Sequence, residues 1–360
     1  MEAEAVYRRA RDLGREVDDG PKLFRATWGL WLYTSRTGGQ ARKWTEELTS
    51  LAQRLGDDNL LLESQHCRWG DEFFSGNVLQ LLENSEEGIR RYDPKRHAQL
   101  SEAFGGHDPG VCALSCHAMG LSLRGLPDQA RRTVERTLAL AASLSHPPSS
   151  AWGYAVSGWT FIIIRDRNGC EQVGARSVAL AEKLDLPMIR WWGRYHMGWG
   201  KAQGLTLSEG LALMEEAFPR MVNEGHYKFF GAGLAEARFD AGRVTDALAL
   251  VDHAVNTGHG PARGQYVAEV HRLRGVCLRS LGYSAEEVES AFRTALQIAE
   301  EQGAILLKLR AATSLARLWL DQGKHTEARD LLAPVYGWFT EGFDTRDLKE
   351  AKALLDALAA

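Results

Sequence analysis

Gly125-Leu126-Pro127-Asp128-Gln129-Ala130 returns in outline as Gly242-Arg243-Val244-Thr245-Asp246-Ala247 and again as Gly323-Lys324-His325-Thr326-Glu327-Ala328. Each string opens on glycine, which ends a helix by taking a left-handed backbone at no steric cost. Each places alanine five residues later, where a second helix needs a small side chain to approach the first. Gly204 and Gly282 fall on the same ruler, the five glycines being separated by 79, 38, 40 and 41 residues, with the first interval two periods long. A period near 40 residues at helix-hairpin corners is the mark of stacked repeats, in which a surface rather than an enclosed centre carries function.

Outward from these corners, apolar residues recur at helical spacing and strand alternation is scarce. The pattern predicts helices paired as 22–36 with 41–55, 60–74 with 78–90, 111–124 with 128–144, and 150–165 with 171–184. Further pairs are 189–203 with 208–223, 227–241 with 244–256, 262–281 with 285–301, and 305–321 with 326–340. Pro187 suits a first helical turn. The expected architecture is all-α, a single repeat domain over 1–358, with an irregular insertion at 91–110 and a C-terminal cap at 346–358. One continuous solenoid is expected, because such a fold grows by adding repeats and needs no enlarged core.

Several strings carry a family resemblance: Tyr92-Asp93-Pro94 with His97, Gly105-Gly106-His107-Asp108-Pro109-Gly110-Val111-Cys112, and the corners at Gly125 and Gly323. Leu331-Leu332-Ala333-Pro334-Val335-Tyr336-Gly337-Trp338-Phe339-Thr340-Glu341-Gly342-Phe343-Asp344, followed by Leu348-Lys349-Glu350-Ala351, extends it. Across 60–358 the chain resembles the tetratricopeptide-like region toward the C-terminus of bacterial predicted ATPases, adenylate or guanylate cyclase fusion proteins and large ATP-binding transcriptional regulators. The resemblance implies a right-handed tetratricopeptide-like α-solenoid of helical hairpins. It also implies a kinase, cyclase or nucleotide-binding module ahead of the repeats. The chain shows no glycine-rich turn ending Gly-Lys-Ser/Thr and no kinase motif set, so no ATPase, kinase or cyclase chemistry is expected of it. Gly231 and Gly233 read as close helix packing.

With 44% hydrophobic residues, 25% charged and a formal net charge of -4, the chain is neither disordered nor strongly basic, so nucleic acid is not an expected partner. The first residues contain no apolar run with a cleavage site, and the apolar stretch 161–164 is too short to cross a bilayer, so a cytoplasmic location without membrane association is expected. Five cysteines, at 67, 112, 116, 170 and 277, read as reduced and buried. Cys112, Cys116 and His117 have the helical spacing of zinc ligands, yet no second compact Cys/His pair completes a set, so no metal or cofactor is predicted.

Two candidate sites remain. The first is the irregular segment, where Asp93, His97, His107 and Asp108, with His66 on a preceding helix, could bind a polar ligand or a metal or exchange protons; the alternative is that the aspartates cap helices and the histidines satisfy a buried loop. The second is the inner face of the superhelix. Aligned helices place Arg194 and Lys201, Arg272 and Arg279, and Arg310 and Arg317 at matching offsets, with Trp191, Tyr195 and Trp199 beside them. Arginine forks suit carboxylate or phosphate. Glu236, Asp240 and Glu269 interrupt the row. The favoured function is therefore a noncatalytic protein-binding or regulatory scaffold presenting a concave groove to a peptide or protein partner of acidic or phosphorylated character. A ligand- or metal-dependent accessory enzyme using the histidine/aspartate-rich segment, and a structural assembly module, are the alternatives.

Overall fold

The glycine corners turn where the repeat places them. In the computed structural model, which describes residues 2–37, 41–221, 227–256, 264 and 266–359, Gly125, Gly242, Gly282 and Gly323 have φ of +87°, +75°, +76° and +75°. Ala130, Ala247 and Ala328 are each fully buried, as close approach of the paired helices requires.

The helices are α1 (Glu2–Glu16), α2 (Gly20–Thr37), α3 (Ala41–Leu55), α4 (Asp58–Ser75) and α5 (Val78–Arg91). The interruption holds two short turns, α6 (Pro94–His97) and α7 (Leu100–Ala103). Then follow α8 (Pro109–Arg124), α9 (Pro127–Ser143), α10 (Pro147–Ile163), α11 (Arg167–Lys183), α12 (Pro187–Lys201) and α13 (Leu207–Met221). The last are α14 (Tyr227–Asp240), α15 (Val244–Asn256), α16 (Val267–Ser280), α17 (Ala285–Glu301), α18 (Ile305–Asp321), α19 (His325–Tyr336) and α20 (Arg346–Ala357). No strand occurs among the described residues. The chain is an all-α, right-handed tetratricopeptide-like solenoid of helical hairpins. The expected helix ends at 222–223 and 262–263 lie outside the described residues.

Helix α1 was not predicted. Val6 and Leu13 are exposed; the helix packs on α2, with Tyr7 against Gly29 and Gly14 against Leu23, and is tied to α3 by charge, Arg11 and Arg15 reaching Glu47 at 2.8 and 2.9 Å and Arg11 lying 5.0 Å over Trp44.

From α8 onward the even-numbered helices pack on one another as an inner row, continuing α2 and α4, while the others form an outer row. Burial separates the rows. In α8 every residue from Pro109 to Leu123 except His117 is buried, whereas α9 buries one stripe, Pro127, Ala130, Thr133, Val134, Thr137 and Ala141. A helix apolar on all sides belongs inside a protein.

The expected open concave groove is filled between α4, α10 and α14. Phe73 of α4 meets Trp159 of α10 at 5.3 Å, Trp159 stacks on Phe229 of α14 at 4.7 Å, and Phe229 meets Tyr266 at 4.7 Å. The second half of the chain also docks on corners of the first. Val78 N donates to Gln302 O at 3.1 Å, and Asp128 N and Gln129 N donate to Glu341 Oε1 at 2.9 and 3.0 Å. Gly125 lies so close to Phe339 that a Cβ there would come within 2.7 Å of the ring.

Candidate functional site

Two buried polar clusters interrupt this apolar interior. The first is built from α4, the interruption and α8. Asp57 starts α4 by accepting from Asn59 N and Leu60 N, and the helix carries Glu63 and His66 one turn apart into the core, 0% and 3% exposed. Asp93 and Asp108 cap helices, and His97 accepts from the backbone through Nδ1 while its Nε2 is buried without a partner. Asp93 Oδ1 accepts from Lys95 N at 2.9 Å to start α6, and Asp93 N donates to His97 Nδ1 at 2.9 Å. Asp108 Oδ1 accepts from Val111 N at 3.0 Å to start α8, while Tyr92 Oη donates to Asp108 Oδ2 at 2.8 Å. Burial, reinforced by Arg96, lowers the pKa of His97.

His107 has a different fate. The left-handed pair Gly105 and Gly106 turns the chain inward, so that the His107 ring meets His66 edge-on at 5.3 Å and stacks on Trp152 at 4.0 Å. His66 stacks on Trp69 at 4.9 Å. Cys112 faces both histidines: its Sγ and one ring nitrogen of each all lie within 4.8 Å of one another. Cys116 lies one turn further along α8, on the same face as Cys112. The Cys116 thiol, helped by His66 and His107, holds the Cys112 thiol well below its usual range against the opposing effect of burial. Burial would depress His66, but Cys112 and Glu63 raise it to about 10. Burial raises Glu63 despite His66 beside it. The reading of Cys112, Cys116 and His117 as one group is corrected here: His117 Nδ1 lies 3.0 Å from Ser85 Oγ of α5. Of the two histidines facing Cys112, His107 lies five residues before it in sequence, whereas His66 comes from α4 and no local spacing joins it to the cysteine.

The second cluster joins α10, α14, α16, α18 and α20. Arg165, in a left-handed conformation with φ +58° just after α10, reaches Glu236 at 2.9 Å and Asp347 at 3.1 Å. Arg310 pairs with Asp347 at 2.8 Å through one guanidinium nitrogen and at 3.0 Å through another, and donates to Tyr266 Oη at 3.0 Å. Arg272 forks onto Glu269 at 2.6 and 2.9 Å. Three guanidinium groups thus balance three carboxylates in a site of little solvent access. Burial alone would raise Glu269, yet Arg272, Arg310 and Arg165 bring it down to about 2, and arginines likewise lower Asp347 and Glu236. Beside this network lies a polar cavity of about 40 Å³ lined by Arg165, Arg272, Arg310, Thr313, Ser314, Arg317, Asp347 and Glu350.

The expected six-cation row therefore divides. Arg272, Arg310 and Arg317 converge, joined by Arg165, which sequence reasoning missed. Arg310 is only 4% exposed and belongs to the interior rather than to an open groove. Arg194 and Lys201 pair with Glu216 and Glu209 along α13, and Arg279 pairs with Asp321. Tyr195 and Trp199, expected on the groove, are 0% and 1% exposed because α14 packs over that face of α12: the Tyr195 hydroxyl donates to Phe230 O. Trp192 enters the core, whereas Trp191 is half-buried and flanked by Arg190, Arg194 and Arg220.

No family model matches the chain. It is 25% identical over 333 residues to an uncharacterized protein of Rhizobium meliloti (strain 1021), a match covering 89% of this chain and 32% of that protein. The chain thus spans about a third of the length of this curated relative. Among solved structures, a Rap protein complexed with competence and sporulation factor is similar at a TM-score of 0.63 and 12% identity, over 99% of this chain and 95% of that one. NprR in complex with its cognate peptide NprX is similar at 0.54 and 10% identity, over 92% and 96%. The human IFIT1 dimer with PPP-AAAA is similar at 0.53 and 13% identity, over 99% and 78%. These likenesses concern the helical-repeat fold. No helix among the described residues is long and apolar enough to cross a membrane.

Proposed function

We propose that the chain is a noncatalytic binding scaffold that receives an acidic segment of a peptide or protein at the arginine-lined cavity of its second half. The observation that carries this reading is the surplus of guanidinium groups there. Arg165, Arg272 and Arg310 are balanced by Glu236, Glu269 and Asp347, but Arg317, exposed about two turns beyond Arg310 on α18, has no ion-pair partner among the described residues. Glu350 at the rim is held by Arg346 at 2.7 Å. Arg317 is thus free to fork onto an incoming carboxylate or phosphate. The peptide in the NprR structure is in keeping with this use of the fold. The Rhizobium meliloti relative, of which the match covers 32%, is in keeping with such a scaffold working as part of a larger protein.

The test uses labelled glutamate-rich and lysine-rich peptides of equal length, titrated by fluorescence anisotropy at low and high salt. The glutamate-rich peptide should bind more tightly, weaken with salt, and lose affinity for Arg317→Gln while circular dichroism shows unchanged helix. Equal binding of the two peptides, or an Arg317→Gln protein indistinguishable from the original, would overturn the assignment.

A further inference from the structure

We propose that His66, His107, Cys112 and Cys116 bind one zinc(II) ion as a closed structural site. His107 Nδ1 lies 3.0 Å from Gly105 O. A carbonyl only accepts, so Nδ1 carries the proton and Nε2 keeps its lone pair. That Nε2 is buried and has no hydrogen-bond partner. His66 is arranged alike, with Nδ1 3.1 Å from Glu63 Oε2. A ring held at one nitrogen by a carboxylate or a carbonyl, with the other nitrogen turned to neighbouring ligands, is how metal-binding histidines are oriented.

The donor set selects the ion. Two imidazole nitrogens and two thiolates suit zinc, and two thiolates exactly offset its charge once the two thiol protons have passed to solvent. Zinc bonds of roughly 2.0–2.3 Å put ligand atoms about 3.3–3.8 Å apart. His66, His107 and Cys112 offer atoms within 4.8 Å of one another and would close by about 1 Å around the ion, and Cys116, one turn along α8 and outside that group, would turn in as the fourth ligand. The site is structural rather than catalytic because no ligand opens to solvent: His66, His107, Cys112 and Cys116 are 3%, 6%, 6% and 7% exposed. The ion would fasten the interruption, through His107, to α4 and α8. Without a cation the same space holds an unpartnered imidazole nitrogen, which is costly in a core.

The experiment is a titration of chelator-stripped full chain with cobalt(II), followed by competition with zinc(II) and plasma mass spectrometry of the zinc-loaded protein. The original protein should saturate at a single ion per chain, with a thiolate-to-cobalt charge-transfer band and the intense visible bands of tetrahedral cobalt, both erased by zinc. Cys112→Ser should lose at least half of the charge-transfer intensity, Cys112→Ser combined with Cys116→Ser should lose the band altogether, and Glu63→Gln should weaken binding about 10–100-fold. Cys277→Ser, in α16, should behave as the original. A helical original protein that gives no thiolate band, or a loss of the band in Cys277→Ser, would overturn the proposal. The titration of the original chain decides the matter even where Cys112→Ser fails to fold.

Discussion

The two buried polar clusters differ in how completely the protein answers its own charges. Around Arg310, each buried cation of the network meets a carboxylate, the hydroxyl of Tyr266 adds a further acceptor, and Arg165 Nε is the one network atom among the described residues left without a partner. Around Cys112, the side chains are equally inaccessible, yet His107 Nε2 and Glu63 Oε1 are left without partners. Burial of a polar group is tolerated when its hydrogen bonds and charge are returned within the fold. A balanced cluster therefore explains itself as a clamp between distant helices, whereas an unbalanced one points to a further component.

The sharpest way to break the contrast is to unbalance the clamp. Arg310→Met leaves Asp347 buried beside only one remaining cation and should cost about 3–5 kcal/mol in denaturant unfolding. Arg310→Met combined with Asp347→Leu removes both charges and should recover most of that loss. A single substitution without cost would show that the network is not a balanced unit.

Acid provides the next test. Glu269 titrates at about 2 when folded, against an ordinary 4.5, so the unfolded chain takes up its proton first as pH falls. Its stabilisation is fully present above pH 4.5 and disappears as pH drops toward 2, an effect on the order of 3 kcal/mol. His196 opens an earlier window: burial depresses it to about 3 from 6.5, so the unfolded state binds the proton first and stability starts to fall below pH 6.5. Unfolding curves at successive pH values should show both phases, and His196→Leu should flatten the phase above pH 4.5.

The Cys112 cluster should respond to chelation instead. Zinc at a hundredfold excess over its dissociation constant stabilises by about 2.7 kcal/mol, so a chelator should lower the melting temperature of the original protein and leave folded Cys112→Ser unmoved. The smallest effect is expected at Trp338, which is half-buried under Arg124 at 4.9 Å. Trp338→Ala should cost about 1–2 kcal/mol in the same unfolding assay, less than a fully buried tryptophan.

What was legible in the sequence was local. The corners at Gly125, Gly242 and Gly323 and their buried alanines follow from backbone rules that act within six residues. The helix caps at Asp93 and Asp108 were legible for the same reason. Helix periodicity also showed that Trp191 and Trp192 diverge, but not which neighbour each would meet. Tyr195 and Trp199 were placed on a groove because sequence offers no sign that α14 closes over α12. The Cys112 site was visible only in halves, as His66 with His107 and as Cys112 with Cys116. The packing of α4 on α8 joins them, and His117 was a false member because it occupies the other side of α8. Arg165 carried no signal at all, since its partners lie on α14 and α20.

The docking of late repeats on early corners alters how the chain comes apart. An open solenoid frays from its ends, each repeat depending on its neighbours alone. Here hydrogen bonds link residues 213 positions apart at Asp128 and Glu341, and 179 apart at Arg124 and Gly303. Closing such long loops raises the contact order, which slows folding. It also ties the C-terminal repeats to the α8–α9 corner as one cooperative unit, so that loosening the last helix withdraws support from the middle of the chain.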